Sequence, residues 1–229
     1  MSWCQNEINS DILRHCLCVL IFGAVSAWTP AALAQLADPA ATPSPPAQTT
    51  LLIGLLQAQQ GTTADFTQRI EDAKGTLVEQ SYGRMALGEA RLRWDVISPY
   101  VQRMLLDKNE LQIYDPDLEQ LTVRDLDSAG AQLPVNWLID ANSLADAQLS
   151  IDLVHRGEHS DFTIQPQTID FLFAGLRLAF IGNVLEQMVI LDRGGQRSIV
   201  DFQNVRRDQD LPPDRFVLDV PEGTDVVRG

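Results

Sequence analysis

The stretch 91–123, RLRWDVISPYVQRMLLDKNELQIYDPDLEQLTV, constrains the fold more than any other part of the chain. Leu92, Trp94 and Val96 alternate with Arg93 and Asp95, the period-two pattern of a half-buried strand. Ser98-Pro99-Tyr100 interrupts the pattern with a turn, and residues 102–106 resume it. Lys108-Asn109 turns again; Leu111, Ile113 and Tyr114 follow; Asp115-Pro116-Asp117 then leads into Leu121 and Val123. Strands joined by turns this short are antiparallel neighbours, which predicts a meander with one apolar face and one wet face. What the apolar face covers decides what the protein does.

The pattern continues on both sides. Residues 64–72 and 76–87 read as strands joined at Lys74-Gly75, with Gly83 a candidate bulge. Residues 133–139, with Pro134 near the first turn, and residues 143–149 read as short helices lying across the strands. Residues 151–155 and 161–165 form a hairpin around Arg156-Gly157. Leu176, Leu178 and Phe180 alternate, and residues 185–191 and 197–205 flank the strong turn signal Asp192-Arg193-Gly194-Gly195. Residues 216–220 read as the last strand, stopped by Pro221. The fold class is mainly β within α+β, with about eleven strands, and a sheet of that size curls on itself.

A chain of 229 residues that is 45% hydrophobic can build one core. A formal charge of -14 argues against a nucleic-acid partner, because phosphate binding needs basic surface, and none is expected. The chain is expected to be a monomer. Residues 1–34 read as a signal peptide: Arg14, an apolar run at 17–27 too short to span a membrane, and the cleavage signal Ala32-Leu33-Ala34. Cys4, Cys16 and Cys18 all precede the cut, so the exported chain has no disulfide, no thiolate and no acylated N-terminal cysteine. It is expected to be soluble and periplasmic, starting near Gln35, with a charge of about -13. Residues 35–48, QLADPAATPSPPAQ, read as an extended leader, and 49–229 as the folded domain. That domain opens with a helix capped at Thr49 or Thr50, running to Gln60 and ended by Gly61. Leu52, Leu55 and Leu56 share one of its faces.

Catalytic signals are thin. His155-Arg156-Gly157-Glu158-His159 matches H-x-x-E-H, which makes a zinc-dependent hydrolase one alternative function. That chemistry needs a helix to bring both imidazoles to one ion, whereas the central glycine and the flanking alternation predict a hairpin. Asp115, Asp117 and Glu119 lack calcium-loop spacing and read as a solvated turn. There is no G-x-S-x-G elbow and no phosphate loop, so no enzyme activity, metal or cofactor is expected.

Taken together, Ala64-Asp65-Phe66-Thr67-Gln68, Arg93-Trp94 followed by Ser98-Pro99-Tyr100, and Asp115-Pro116-Asp117-Leu118-Glu119-Gln120 resemble the periplasmic outer-membrane lipoprotein carrier family, LolA. Leu185-Glu186-Gln187-Met188 with Asp192 and Gly195-Gln196, and residues 216–226 with Pro221 and Gly223, extend the resemblance over 51–227. It implies an unclosed antiparallel barrel with a helical lid over a hydrophobic cavity that holds the acyl chains of lipoproteins. It also implies an inner-membrane ABC-type transporter as donor and a LolB-like outer-membrane lipoprotein receptor as acceptor. On this resemblance the candidate cavity residues are Phe66, Leu92, Trp94, Val96, Met104, Leu106, Ile113, Leu178, Phe180 and Met188 in the strands. Trp137 and Leu138 are candidates in the presumed lid, and Trp94 is expected to face its helices. The family often carries an Arg-Pro pair six and five residues before the tryptophan, with that arginine implicated in lid closure and cargo transfer. Here those positions are Gly88 and Glu89, and Arg91 and Arg93 are the nearby candidates for its role. A lipid-binding sensor domain of similar shape is the remaining alternative.

Overall fold

A computed structural model describes residues 45–126, 134–169, 171–207 and 211–228. Helix α1 (Pro45–Gln57) leads into β1 (Thr62–Glu71), β2 (Leu77–Gly88), β3 (Arg91–Ser98), β4 (Gln102–Leu106), β5 (Glu110–Asp115) and β6 (Gln120–Asp125). A short helix α2 (Asn136–Ile139) and a 3-10 turn (Ala141–Ala145) follow. The chain returns to strands with β7 (Leu149–Arg156), β8 (His159–Pro166), β9 (Gly175–Ile181), β10 (Val184–Leu191) and β11 (Arg197–Arg207). A second 3-10 turn (Pro213–Phe216) and β12 (Asp225–Arg228) end it.

The strands form one 12-stranded sheet in the order β12-β6-β5-β4-β3-β2-β1-β11-β10-β9-β8-β7. The meander read from residues 91–123 is present strand for strand as β3 to β6, with Trp94 opposite Met104 and Met104 opposite Ile113. The first and last strands in the order do not pair, so the barrel is unclosed. Residues from both halves, such as Leu92 and Phe162, nonetheless join one core, because the sheet curls until its apolar faces meet.

Three elements differ from the sequence reading. Helix α1 starts at Pro45, inside the stretch read as extended leader. Prolines fit the first helical turn, whose N–H groups have no intrahelical acceptor. Thr49 and Thr50 are therefore not caps; their hydroxyls donate back to the carbonyls of Pro45 at 3.2 Å and Pro46 at 3.0 Å. The helix read at 143–149 is a shorter 3-10 helix at Ala141–Ala145, and Leu149 already belongs to β7. The last strand is not at 216–220. Arg93 takes the carbonyls of Arg215 and Val217 at 3.0 and 2.9 Å, so this segment gives its acceptors to a side chain and not to a ladder. The last strand is instead β12, which pairs parallel with β6 and brings the number to 12 where about eleven were expected.

Gly83 is a bulge position, as the sequence suggested: the β2–β3 register shifts between Tyr82 and Gly83. A Cβ at Gly83 would lie 2.2 Å from the Asp95 carbonyl oxygen and 2.3 Å from the Phe66 ring. The ring of Phe66 thus rests on bare backbone. Gly83→Ala is expected to destabilise the protein by about 3 kcal/mol or more, since over-packing typically costs 1–3 kcal/mol and here one obstacle is backbone. Urea unfolding measures it; an unchanged midpoint would contradict this packing.

Candidate functional site

Period-two alternation along each strand delivers one set of side chains to the concave face. Phe66 on β1, Leu92 and Trp94 on β3, Met104 and Leu106 on β4, and Ile113 on β5 are all buried there. From the other half come Leu178 and Phe180 on β9 and Met188 on β10. All the candidate cavity residues belong to one apolar cluster, with Val96, only partly buried, packed against it. The residues named from sequence are thus brought together. Among the described residues the one buried charged side chain is Asp192, which accepts the Gln196 N–H in the β10–β11 turn. This interior offers nothing to a charged ligand and a large apolar surface to an uncharged one.

The helical layer lies on that face. Leu52, Leu55 and Leu56 of α1, Trp137, Leu138 and Ile139 of α2, and Leu144 of the 3-10 turn complete the cluster. Trp137 meets Phe173 edge-on at 5.7 Å and Phe171 at 6.3 Å. Trp94 stacks on Phe66 at 4.0 Å and meets Phe202 edge-on at 6.1 Å, so two strand residues hold its ring within the cluster it shares with the helices.

Three glutamines at the end of α1, Gln57, Gln59 and Gln60, tie the helical layer to the barrel. The Gln57 amide donates to the Asn142 side-chain oxygen at 3.0 Å, in the 3-10 turn. Gln59, 2% exposed, donates to the carbonyls of Leu55 and Asn183, both at 2.7 Å, and accepts the Leu185 N–H at 3.3 Å. Gln60 donates to the Leu138 carbonyl in α2 at 2.9 Å and accepts the Ala90 N–H at 3.4 Å. Sequence reasoning passed over these residues. The one signal was an amide-rich run, QAQQG, where a Leu-rich helix ends.

Arg91 and Arg93 do not lie with the helical layer. The alternation that points Leu92 and Trp94 inward sends them to the outer face. The Arg91 guanidinium sits 4.8 Å from the Phe216 ring centre and pairs with Glu89. Arg93 binds Asp95 at 2.8 Å besides the carbonyls of residues 215 and 217. Both hold the C-terminal segment against a second small apolar cluster of Ala86, Leu105, Leu211 and Phe216. A lid role for either is not supported by this placement.

The H-x-x-E-H motif forms the β7–β8 hairpin. His155 stands opposite Ser160 and His159 opposite Arg156, so the two imidazoles project to opposite faces of the sheet. His155 Nδ1 lies 2.9 Å from the Ser160 hydroxyl. Among the described residues no group of three His, Cys, Asp or Glu is placed to hold a metal ion. Asp115, read as part of a solvated turn, accepts the N–H groups of Asp117 and Leu118 at 3.0 and 3.2 Å and organises that turn.

The structure is thus an unclosed barrel with an apolar interior under a tethered layer of short helices. Sequence comparison makes the class definite. Residues 57–219 match the family described as "Outer membrane lipoprotein carrier protein LolA", and the chain belongs to that family. It is 35% identical over 77% of its length to the outer-membrane lipoprotein carrier protein of Pseudomonas entomophila (strain L48), covering 86% of that protein. It is 31% identical over 88% of its length to the protein of the same name from Chromohalobacter salexigens, covering 96% of it. Among solved structures, an uncharacterized conserved protein from Thermus thermophilus shares the fold, with a TM-score of 0.50 at 16% identity. That match covers 79% of this chain and 98% of the other.

Trp94 can be probed directly. With Phe66 and Phe202 as its fixed neighbours, Trp94→Ala is expected to cost a full core-sized loss of about 3–5 kcal/mol. Denaturant unfolding gives the value; a loss below about 1.5 kcal/mol would show that Trp94 faces a collapsible layer.

Proposed function

We propose that this chain is a periplasmic chaperone that binds the acyl chains of lipoproteins released from the inner membrane and carries them to the outer membrane. The observation that carries this reading is the apolar concave face covered by a tethered helical layer, in a chain of the lipoprotein-carrier family. Each methylene transferred from water to an apolar site contributes about 0.8 kcal/mol, so a sixteen-carbon chain crossing water unescorted costs on the order of 12 kcal/mol. Phe66, Leu92, Trp94, Val96, Met104, Leu106, Ile113, Leu178, Phe180 and Met188 form the barrel wall for such chains in this reading. Trp137 and Leu138 belong to the layer that the chains displace. The donor is an inner-membrane ABC-type transporter and the acceptor a LolB-like lipoprotein receptor in the outer membrane.

Export fits the same reading. The signal peptide at 1–34 lies outside the described residues, and among those described no helix is long and apolar enough to cross a membrane. With a formal charge of -14 the chain is repelled by anionic headgroups, so it can leave a membrane surface after loading.

The test uses spheroplasts of the native host that display a tagged lipoprotein on the inner membrane. Added mature protein is expected to bring the lipoprotein into the supernatant as a stoichiometric complex, and an unacylated form of the same cargo is expected not to bind. Lipoprotein that stays in the membrane pellet at every carrier concentration would overturn the proposal.

A further inference from the structure

The apolar interior does not end at the barrel rim; it changes character there. One step beyond the Phe66–Trp94 stack, the concave face continues with Gln68 on β1, Ser81 on β2, Val96 on β3 and Gln102 on β4. These residues open into a cleft of about 320 Å³ walled by the β3–β4 and β5–β6 turns. Those are the turns of Ser98-Pro99-Tyr100 and Asp115-Pro116-Asp117-Leu118, two motifs on which the family resemblance rests and to which acyl-chain binding gives no task.

Three properties of the cleft specify an occupant. Val96, Pro99, Val101 and Leu118 give it an apolar wall. Ser81 and Gln102 line it although each is only 6% exposed, and neither side chain has a hydrogen-bond partner among the described residues. A hydroxyl and an amide that open into the cleft without a protein partner suit a ligand that both donates and accepts hydrogen bonds. Glu79, Asp115 and Asp117 line the cleft, and no Lys or Arg does. Asp115 is committed to its turn, but the Glu79 and Asp117 carboxylates have no ion-pair partner among the described residues. A strand-like peptide supplies backbone donors and acceptors, and lysine or arginine in it supplies the countercharge.

We propose that this vestibule seats the cargo's polypeptide, in extended form, just after its acylated residue, and that it favours peptides with basic residues over acidic ones there. The proposal rests on the carrier reading above and goes beyond it. The acyl chains occupy the interior behind Phe66 and Trp94, and the peptide leaves through the cleft, hydrogen-bonded to Ser81 and Gln102. Glu79 and Asp117 set the charge preference.

The test measures binding of three palmitoylated cysteine probes to the mature protein: one without further residues, one followed by Ser-Lys-Lys-Ser, one followed by Ser-Glu-Glu-Ser. The lysine probe is expected to bind about fivefold more tightly than the glutamate probe, as for one or two partly exposed ion pairs. The preference is expected to shrink at high salt and to disappear in Glu79→Gln/Asp117→Asn. That variant is expected to bind the bare lipid like the wild type, since neither carboxylate belongs to the apolar core. Gln102→Leu is expected to weaken both peptide probes and spare the bare lipid. Equal binding of the two peptide probes by the wild type, or a preference that survives in the double variant, would overturn the proposal while leaving the carrier reading intact. Failure of the bare lipid to bind would overturn the carrier reading, and this proposal with it.

Discussion

An apolar concave face on an unclosed sheet has to be kept from water whether or not a ligand is present. A closed barrel could fill its interior with its own strand side chains, but here the edges formed by β7 and β12 do not meet. The cover is instead α1, α2 and the 3-10 turn, with Leu52, Leu55, Leu56, Trp137, Leu138, Ile139 and Leu144 turned inward. At about 1.5–3 kcal/mol per fully buried large side chain, this layer removes on the order of 10–20 kcal/mol of apolar exposure. A sixteen-carbon acyl chain buries an amount of the same order, about 12 kcal/mol. In the proposed carrier reading, chains that enter between wall and helices would cover the wall and be covered in turn by the apolar side of the layer, and this exchange of one apolar contact for another would be the physical basis of loading and release.

Exchange also requires that the layer be attached but not fused to the wall. Neutral amides at and just past the end of α1, those of Gln57, Gln59 and Gln60, bond to groups of the 3-10 turn, α2, the β2–β3 turn, the β9–β10 turn and β10. A neutral hydrogen bond contributes about 0.5–1.5 kcal/mol net, and water can replace its partners when the layer moves. The exposed Lys108–Asp140 pair at 3.9 Å also reaches the layer but adds little at that distance and exposure, and the closer charged contacts lie elsewhere. Arg91 and Arg93 fix the C-terminal segment to the outer face, where a guanidinium bound to both Asp95 oxygens and shared by two carbonyls makes a rigid clamp. The closest charged ties thus lie on the convex side, and the layer over the concave face is held by weaker ones.

Much of this was legible in the sequence because it is local. Alternation with turn residues at fixed offsets located β3 to β6 and most other strands, and the same alternation identified the inward residues that gather in one core. What could not be read was pairing at a distance. Residues 216–220 carry a strand-like pattern, yet Phe216 spends its apolar surface on the outer cluster and its neighbours give their carbonyls to Arg93. Thr49 and Thr50 look like caps until the prolines before them are seen to start the helix. The roles of Gln59 and Gln60 rest on bonds to residues 124 and 78 positions away, which no periodicity records. Trp94 was correctly turned inward, but only the curl of the sheet puts Phe66 and Phe202 against it.

The central claim is that acyl chains take the place of the helical layer. Trp3 and Trp28 fall in the expected signal peptide, so Trp94→Phe leaves Trp137 as the single tryptophan of the exported chain. Trp137 is 2% exposed and held by Phe171 and Phe173. Titration of this variant with a long-chain lipopeptide, followed by the Trp137 emission maximum and its quenching by acrylamide, reads the layer directly. The account predicts that emission and quenching change together, saturating at the same concentration as lipopeptide binding measured independently. Lipopeptide that binds stoichiometrically while Trp137 stays as buried as before would show that the chains sit elsewhere, and would contradict the account.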